Sequence, residues 1–124
     1  QGVLDFMVSS EMSEAEAAVW QCLRGHEGAA RAIQAKVVAE LTRMGERNVQ
    51  RAIHSLIHNR GKAIGSRMSE PFGYYVAVTS EERAEVAKLH RERAIAMLTT
   101  ASKIMGIDRA EYVRRYQPEL MGVS

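Results

Sequence analysis

The sequence predicts a mainly α-helical protein with one small β-hairpin and a long C-terminal helix. Apolar residues recur at helical spacing along most of the chain, and only about residues 62–79 change to the β-branched and aromatic content of strands. The 124 residues, 46% hydrophobic and 26% charged, suffice for one domain with its own core and an added helix. This composition argues against a disordered chain.

The first helix is expected over about residues 14–24. Ser13 and Glu16 form a capping box, with a hydroxyl at the N-cap and a carboxylate three residues later. The breaker-rich segment GHEG (25–28) ends the helix. We interpret the acidic residues around this start as charges favoured by the helix dipole: Glu11, Glu14 and Glu16.

Two further helices should follow, joined by a short break at Met44-Gly45. The second, over about residues 31–43, has an apolar face formed by Ile33, Val37, Val38 and Leu41. Gly45 is an acceptable N-cap for the third, over about residues 46–59, which ends near Gly61. One side of the third helix is apolar: Val49, Ala52, Ile53, Leu56 and Ile57. The opposite side is polar and basic: Arg47, Gln50, Arg51, His54 and His58.

The hairpin is expected to pair KAIGS with YYVAVT, across a tip marked by Pro71 and Gly73. A second capping box, Thr79-Ser80-Glu81-Glu82, then opens a helix that runs without Pro or Gly to about Met105. Its apolar stripe consists of Val86, Leu89, Ala94, Met97, Ala101 and Ile104. A short final helix should begin at Asp108 and end at about Tyr116, before Pro118.

Charge is distributed unevenly along the chain. The overall net charge is +2, but residues 1–23 carry −4, residues 24–67 carry +6 and residues 68–124 carry 0. The positive charge is therefore concentrated in the segment that contains the second and third helices. Such a bias suits a polyanionic partner such as nucleic acid.

The predicted elements follow a familiar order. Two helices are joined by a tight turn, the second helix is basic on its outer side, and a hairpin follows directly. The segments AIQAKVVAELTRMGERNVQRAIHSLIHNRGKAIGS (32–66) and GYYVA (73–77) resemble the winged helix-turn-helix family of bacterial and phage DNA-binding domains. The resemblance covers about residues 14–79. Arg43 departs from the family pattern, since many such turns have Gly in a left-handed conformation at this place. The resemblance implies a third helix that reads DNA and a hairpin that acts as a wing.

The physical account of DNA contact depends on long donor side chains, because an α-helix fits the major groove of B-DNA. Arg47 and Arg51 suit guanine, Asn48 and Gln50 suit adenine, and His54 lies further along beside Ser55. The resemblance places Lys62 and Arg67 in or near the wing, on the backbone or minor groove. Three other cations are expected phosphate anchors: Arg31, Lys36 and Arg43.

The residues give little support for catalysis, cofactor binding or metal binding. Phosphate-loop, dinucleotide, zinc-protease and nucleophile-elbow motifs are missing, so we expect no enzyme and no cofactor. His54 and His58 have a metal-binding spacing but lack further ligands, and a metal- or ligand-responsive regulator involving His90 stays an alternative. Three residues are interpreted as packing residues: Cys22, Tyr74 and Tyr75.

We therefore expect a flexible tail over residues 1–12, a winged domain over residues 13–79 and a helical extension over residues 80–124. The extension either packs within the chain or forms a homodimer through the 80–105 helix, which the resemblance favours. The expected function is sequence-specific binding of double-stranded DNA, as a cytoplasmic transcriptional regulator without membrane contact. The alternative is a winged protein-interaction or assembly module, such as a phage or plasmid replication factor.

Overall fold

The computed structural model describes residues 12–122. Its helices are α1 (Glu14–Leu23), α2 (Ala35–Thr42), α3 (Glu46–Arg60), α4 (Ser80–Met105) and α5 (Arg109–Leu120), and its strands are β1 (Ile64–Arg67) and β2 (Gly73–Val76). The predicted class, mainly α with a small hairpin and a long C-terminal helix, is confirmed. The predicted tail over residues 1–12 lies, apart from Met12, outside the described residues. Between residues 12 and 122, no helix combines the length and the apolar character needed to cross a membrane.

The N-terminus of α1 forms as its sequence predicts. The Ser13 hydroxyl accepts from the Glu16 N–H at 3.0 Å, and Glu16 Oε1 accepts from the Ser13 N–H at 2.8 Å. These two bonds satisfy donors that the first turn of a helix leaves without partners. The same device opens α4, where Thr79 Oγ1 accepts from the Glu82 N–H at 3.0 Å and Glu82 accepts from the Thr79 N–H at 3.2 Å.

The predicted start of the second helix is wrong. Residues 29–31 form a 3₁₀ turn, Ile33 is extended, and α2 begins only at Ala35. The backbone of Ile33 pairs with Tyr74 of β2 through two hydrogen bonds of 2.8 Å, so it is not available for a helix. The buried face of α2 therefore differs from the predicted one. The helix buries Val38 and Ala39, whereas Val37 and Leu41 are exposed.

The turn between α2 and α3 keeps the left-handed residue typical of such turns, although that residue is arginine. Arg43 has φ 58° and ψ 39°, and its N–H donates to the carbonyl of Ala39. An L-residue there costs roughly 1–2 kcal/mol relative to a right-handed conformation. Gly45 then adopts an extended conformation at the N-cap of α3, as predicted.

The hydrophobic core lies between α1, α2, α3 and the hairpin. α3 buries the predicted side, since Val49, Ala52, Ile53 and Leu56 are inside and Ile57 is half-buried. The strands pair antiparallel, Ile64 opposite Val76 and Arg67 opposite Gly73, in the predicted hairpin. Tyr75 is buried and Tyr74 packs against the core, as expected of packing residues.

The chain divides into two compact units between Val86 and Ala87, so α4 begins in the first unit and ends in the second. The second unit contains the rest of α4 and α5, with Gly106 in a left-handed conformation between them. The predicted end of α5 at Tyr116 is wrong, because the helix continues through Pro118 to Leu120. Pro118 stands in the last turn, where its missing N–H removes only one hydrogen bond, and Met121 N–H donates to Gln117 at 2.9 Å.

Candidate nucleic-acid interface

The polar side of α3 is open to solvent along its length. The predicted contact residues on this helix are all exposed: Arg47, Asn48, Gln50, Arg51 and His54. Most of them share one face because residues three and four apart lie above one another on a helix. Within residues 12–122, this basic face is therefore exposed.

The other side of α3 is fixed by its apolar residues and by a buried carboxylate from α1. Glu16 is 4% exposed, and its Oε2 accepts a hydrogen bond from the Ser55 hydroxyl. Its Oε1 accepts from Arg60 Nη2 at 3.1 Å and from Arg60 Nε at 3.3 Å. Glu16 thus caps α1 and joins it to the C-terminal half of α3.

Hydrogen bonds from Ser55 and from the Ser13 N–H lower the pKa of Glu16 to about 2, from an ordinary value of 4.5. Burial opposes this change, and Arg60 adds to it through its hydrogen bond and its charge. The carboxylate is therefore ionised at neutral pH and Arg60 balances its charge. Local spacing predicts only the helix-capping role of Glu16, because Ser55 and Arg60 lie 39 and 44 residues away in the sequence.

Ser55 belongs to this network and is half-buried. Its hydroxyl donates to Glu16 and accepts from Asn59 Nδ2 at 2.9 Å. A groove of about 490 Å³ is lined by Glu16, Ser55 and Arg60 of this network together with Asn48 and Arg51. Two of the predicted base-reading side chains consequently stand next to the fixed contact between α1 and α3.

The remaining predicted contact residues lie away from the α3 face. Arg43 is exposed in the turn just before the helix. Lys62 precedes β1, and its Nζ lies 4.7 Å from the centroid of the Trp20 ring, a cation–π distance. Arg67 ends β1, where its Nε donates to Ser69 Oγ at 3.3 Å. Lys62 lies before the start of β1 and Arg67 at its end, so the two cations belong to different ends of the hairpin.

The loop 68–72, predicted only as a turn, contributes exposed apolar side chains. Met68 and Phe72 line a groove of about 400 Å³ together with Gln34, Ala35 and Arg67. The signal available in the sequence was the pair of large apolar residues on either side of Pro71.

The histidines of α3 and the one cysteine were the other candidates for chemistry. The rings of His54 and His58 lie with centroids 4.1 Å apart on the exposed side of α3. Throughout the described chain, no group of three His, Cys, Asp or Glu side chains is placed to hold a metal ion. Cys22 is half-buried against the core, and burial raises the pKa of its thiol.

Comparison with protein-family models, with curated proteins and with solved structures finds no match to this chain.

Proposed function

We propose that this protein is a sequence-specific double-stranded DNA-binding protein of the winged helix-turn-helix type, acting as a cytoplasmic transcriptional regulator. The observation that supports this most is the exposed, basic side of α3. Arg47, Gln50 and Arg51 are exposed to solvent, while the opposite side of the helix is buried. A helix presented in this way fits the major groove, with its long side chains toward the base edges.

The charges around α3 add to this proposal. Arg43 lies at the turn, Arg31 and Lys36 are exposed on the segment before it, and the Glu16 charge is balanced by Arg60. Phosphate contacts from such exposed cations give affinity and register without reading sequence. Base discrimination would come from the forked donors of Arg47 and Arg51 and from the amides of Asn48 and Gln50, each of which carries a donor beside an acceptor.

Arg51→Ala is expected to remove base discrimination and not only charge. A good bidentate contact with guanine provides about 1–3 kcal/mol of discrimination against the wrong base. We therefore expect one position of the preferred sequence to become degenerate, with roughly 5- to 150-fold less preference there. The measurement is selection of bound duplexes from a random pool, followed by titration of the enriched sequence and its single-base variants.

Arg114→Ala is the matched control, because Arg114 is an exposed arginine of α5 in the second unit. It should keep the full preference. Affinity for the enriched duplex should also fall steeply with salt, by about 0.9 log units per phosphate contact for each log unit of salt. A wild-type protein that enriches no sequence and binds no duplex would contradict the proposed function.

We also propose that the protein acts as a homodimer through α4, which would present two copies of α3 to a two-fold DNA site. Between residues 87 and 122 Ser102 is the one buried side chain, whereas Met97 is 73% and Ile104 81% exposed. Helices gain most of their stability by packing an apolar face, and the apolar residues of this unit are at most half-buried.

Introducing Glu at both Met97 and Ile104 should convert a dimer into a monomer, because two charges per chain would enter the interface. Analytical ultracentrifugation of the full chain measures this directly. Glu92→Lys is the control, since Glu92 is exposed on another side of α4 and should leave the dimer intact. A wild-type chain that sediments as a monomer at high micromolar concentration would exclude the dimer.

The second candidate function is a protein-interaction or assembly module. The exposed apolar side chains of α4 favour it, together with Leu120 at the end of α5 and Met121 directly after it. On this alternative the basic side of α3 would contribute no sequence preference. The duplex selection therefore separates the two functions, because only the first predicts an enriched motif.

A further inference from the structure

Two histidines lie one helical turn apart on the exposed side of α3. His54 and His58 stand four positions apart, and the centroids of their rings are separated by 4.1 Å. Both residues are exposed. Apart from this ring contact, neither side chain has a hydrogen-bond or ion-pair partner among residues 12–122. Their ring nitrogens are therefore available to a ligand from solvent.

The backbone holds the two histidines at a fixed spacing. Ile53 and Leu56 of the same helical turns are buried in the core, and Ser55 between them donates to Glu16. Only the side-chain torsions of the two rings can therefore change when a ligand binds. Donors on a fixed helix lose less conformational freedom on binding an ion than donors on a loop, and they keep a more exact geometry.

The type of donor selects the class of ion. Neutral imidazole is a ligand for zinc, copper and nickel, whereas magnesium and calcium prefer oxygen ligands. Two nitrogens that bind one zinc ion at about 2.0–2.1 Å lie no more than about 4.2 Å apart. Rings whose centroids are 4.1 Å apart can reach this arrangement by rotation about their own side-chain bonds.

The surroundings of the pair limit the strength of binding. In the part of the chain that the structure describes, no third His, Cys, Asp or Glu joins the pair, so water would complete the coordination. Arg51 is exposed three positions before His54, and its charge opposes a bound cation. Salt screens charges at exposed positions beyond about 8 Å. The pair therefore suits an exchangeable ion, since structural zinc sites use four protein ligands.

We propose that His54 and His58 together chelate one divalent transition-metal ion of the zinc, nickel and copper class on the exposed side of α3. The ion would lie on the side of the helix that the proposed function places against DNA. The inference does not rest on that function, because the two donors and their spacing are present without DNA. Since both imidazoles bind the same ion, loss of either should weaken binding about tenfold or more.

The test uses the full chain without DNA, with zinc chloride as the probe and magnesium chloride as the comparison. Zinc should shift the ring resonances of His54 and His58 in NMR spectra, whereas magnesium should leave them unchanged. In calorimetric titrations with zinc, His54→Ala and His58→Ala should each bind about tenfold more weakly or less. His90→Ala is the matched control, because His90 is an exposed histidine of α4, and it should bind zinc like the wild type.

A spacing variant tests whether the two rings act as a pair. His58→Ala combined with Asn59→His keeps the four histidines of the chain, but it places the second ring about 140° from His54 around the helix. This variant should bind zinc as weakly as His58→Ala alone. The Asn59 amide donates to Ser55, so urea unfolding is used to verify that the variant remains folded.

The outcomes separate this inference from the proposed function. Zinc that shifts neither ring's resonances overturns the metal site, and so does a His58→Ala variant that binds zinc as tightly as the wild type. Wild-type affinity in the spacing variant also overturns it, since the histidines then bind independently. All three results leave the DNA-binding function in place. Failure to enrich any duplex overturns that function and leaves the metal site in place.

Discussion

Glu16→Ala will lower the free energy of unfolding by about 2–4 kcal/mol, because it leaves buried and half-buried donors without their acceptor. The Ser13 N–H, the Ser55 hydroxyl and Arg60 all donate to this carboxylate. The loss falls short of that for a wholly buried ion pair, since the Arg60 side chain is 17% exposed and regains some hydration. Urea unfolding followed by circular dichroism measures the change.

Glu14→Ala is the matched control, because Glu14 is an exposed acid of the same helical turn. It should cost less than about 1 kcal/mol, the usual contribution of a charge to the helix dipole. Equal losses for the two variants would show that Glu16 contributes only as an N-terminal charge.

The same carboxylate should make stability depend on pH in a defined window. The pKa of Glu16 is about 2 in the folded protein against an ordinary value of 4.5. Its contribution is therefore complete above about pH 4.5 and is lost as the pH falls toward 2, where the folded protein also takes up the proton. Glu16→Gln should flatten this part of the stability curve, while Glu14→Gln should retain it.

Gly73→Ala will cost about 2–4 kcal/mol and release the hairpin from the segment before α2. Gly73 has φ +125°, a conformation that L-residues rarely adopt, and an added Cβ would overlap the carbonyl group of Ile33. Backbone atoms cannot rotate away as a side chain can, so the Ile33–Tyr74 pairing must open. Urea unfolding gives the total cost, and hydrogen exchange at the Ile33 and Tyr74 amides reports the local opening.

Gly61→Ala provides the comparison for Gly73. Gly61 also has a positive φ, +67°, but an added Cβ would meet no atom within 4 Å. Its cost should be that of the left-handed conformation alone, about 1 kcal/mol, without faster exchange at Ile33. A Gly73→Ala variant that costs no more than Gly61→Ala would show that the close approach has little energetic weight.

Much of the fold was predictable because its signals are local. Ser13 with Glu16 and Thr79 with Glu82 mark the starts of α1 and α4 by bonds that span three residues. The two sides of α3 follow from a repeat of 3.6 residues, which assigns Val49 and Leu56 to the core and Arg47 and Arg51 to solvent. The candidate interface on α3 was accessible to the same reasoning, since it is the remaining side of that helix.

The errors have two causes: a distant segment decides the local structure, or a local rule does not hold in the last turn of a helix. Ile33 fits a helical pattern with Val37, yet its backbone pairs with Tyr74, 41 positions later, and the helix starts after it. Pro118 is a helix terminator by local rules, but in the last turn of α5 it removes only one bond.

The sequence by itself determined the order and types of the elements, the caps and the solvent-facing side of α3, because these depend on contacts within about four residues along the chain. Only the tertiary structure decided that Glu16 joins α1 to α3 through Ser55 and Arg60, and that the hairpin is attached at Ile33. These contacts depend on which distant groups meet after the apolar faces pack. No periodicity or spacing in the sequence encodes these tertiary contacts. A carboxylate becomes a structural link only when burial removes it from water.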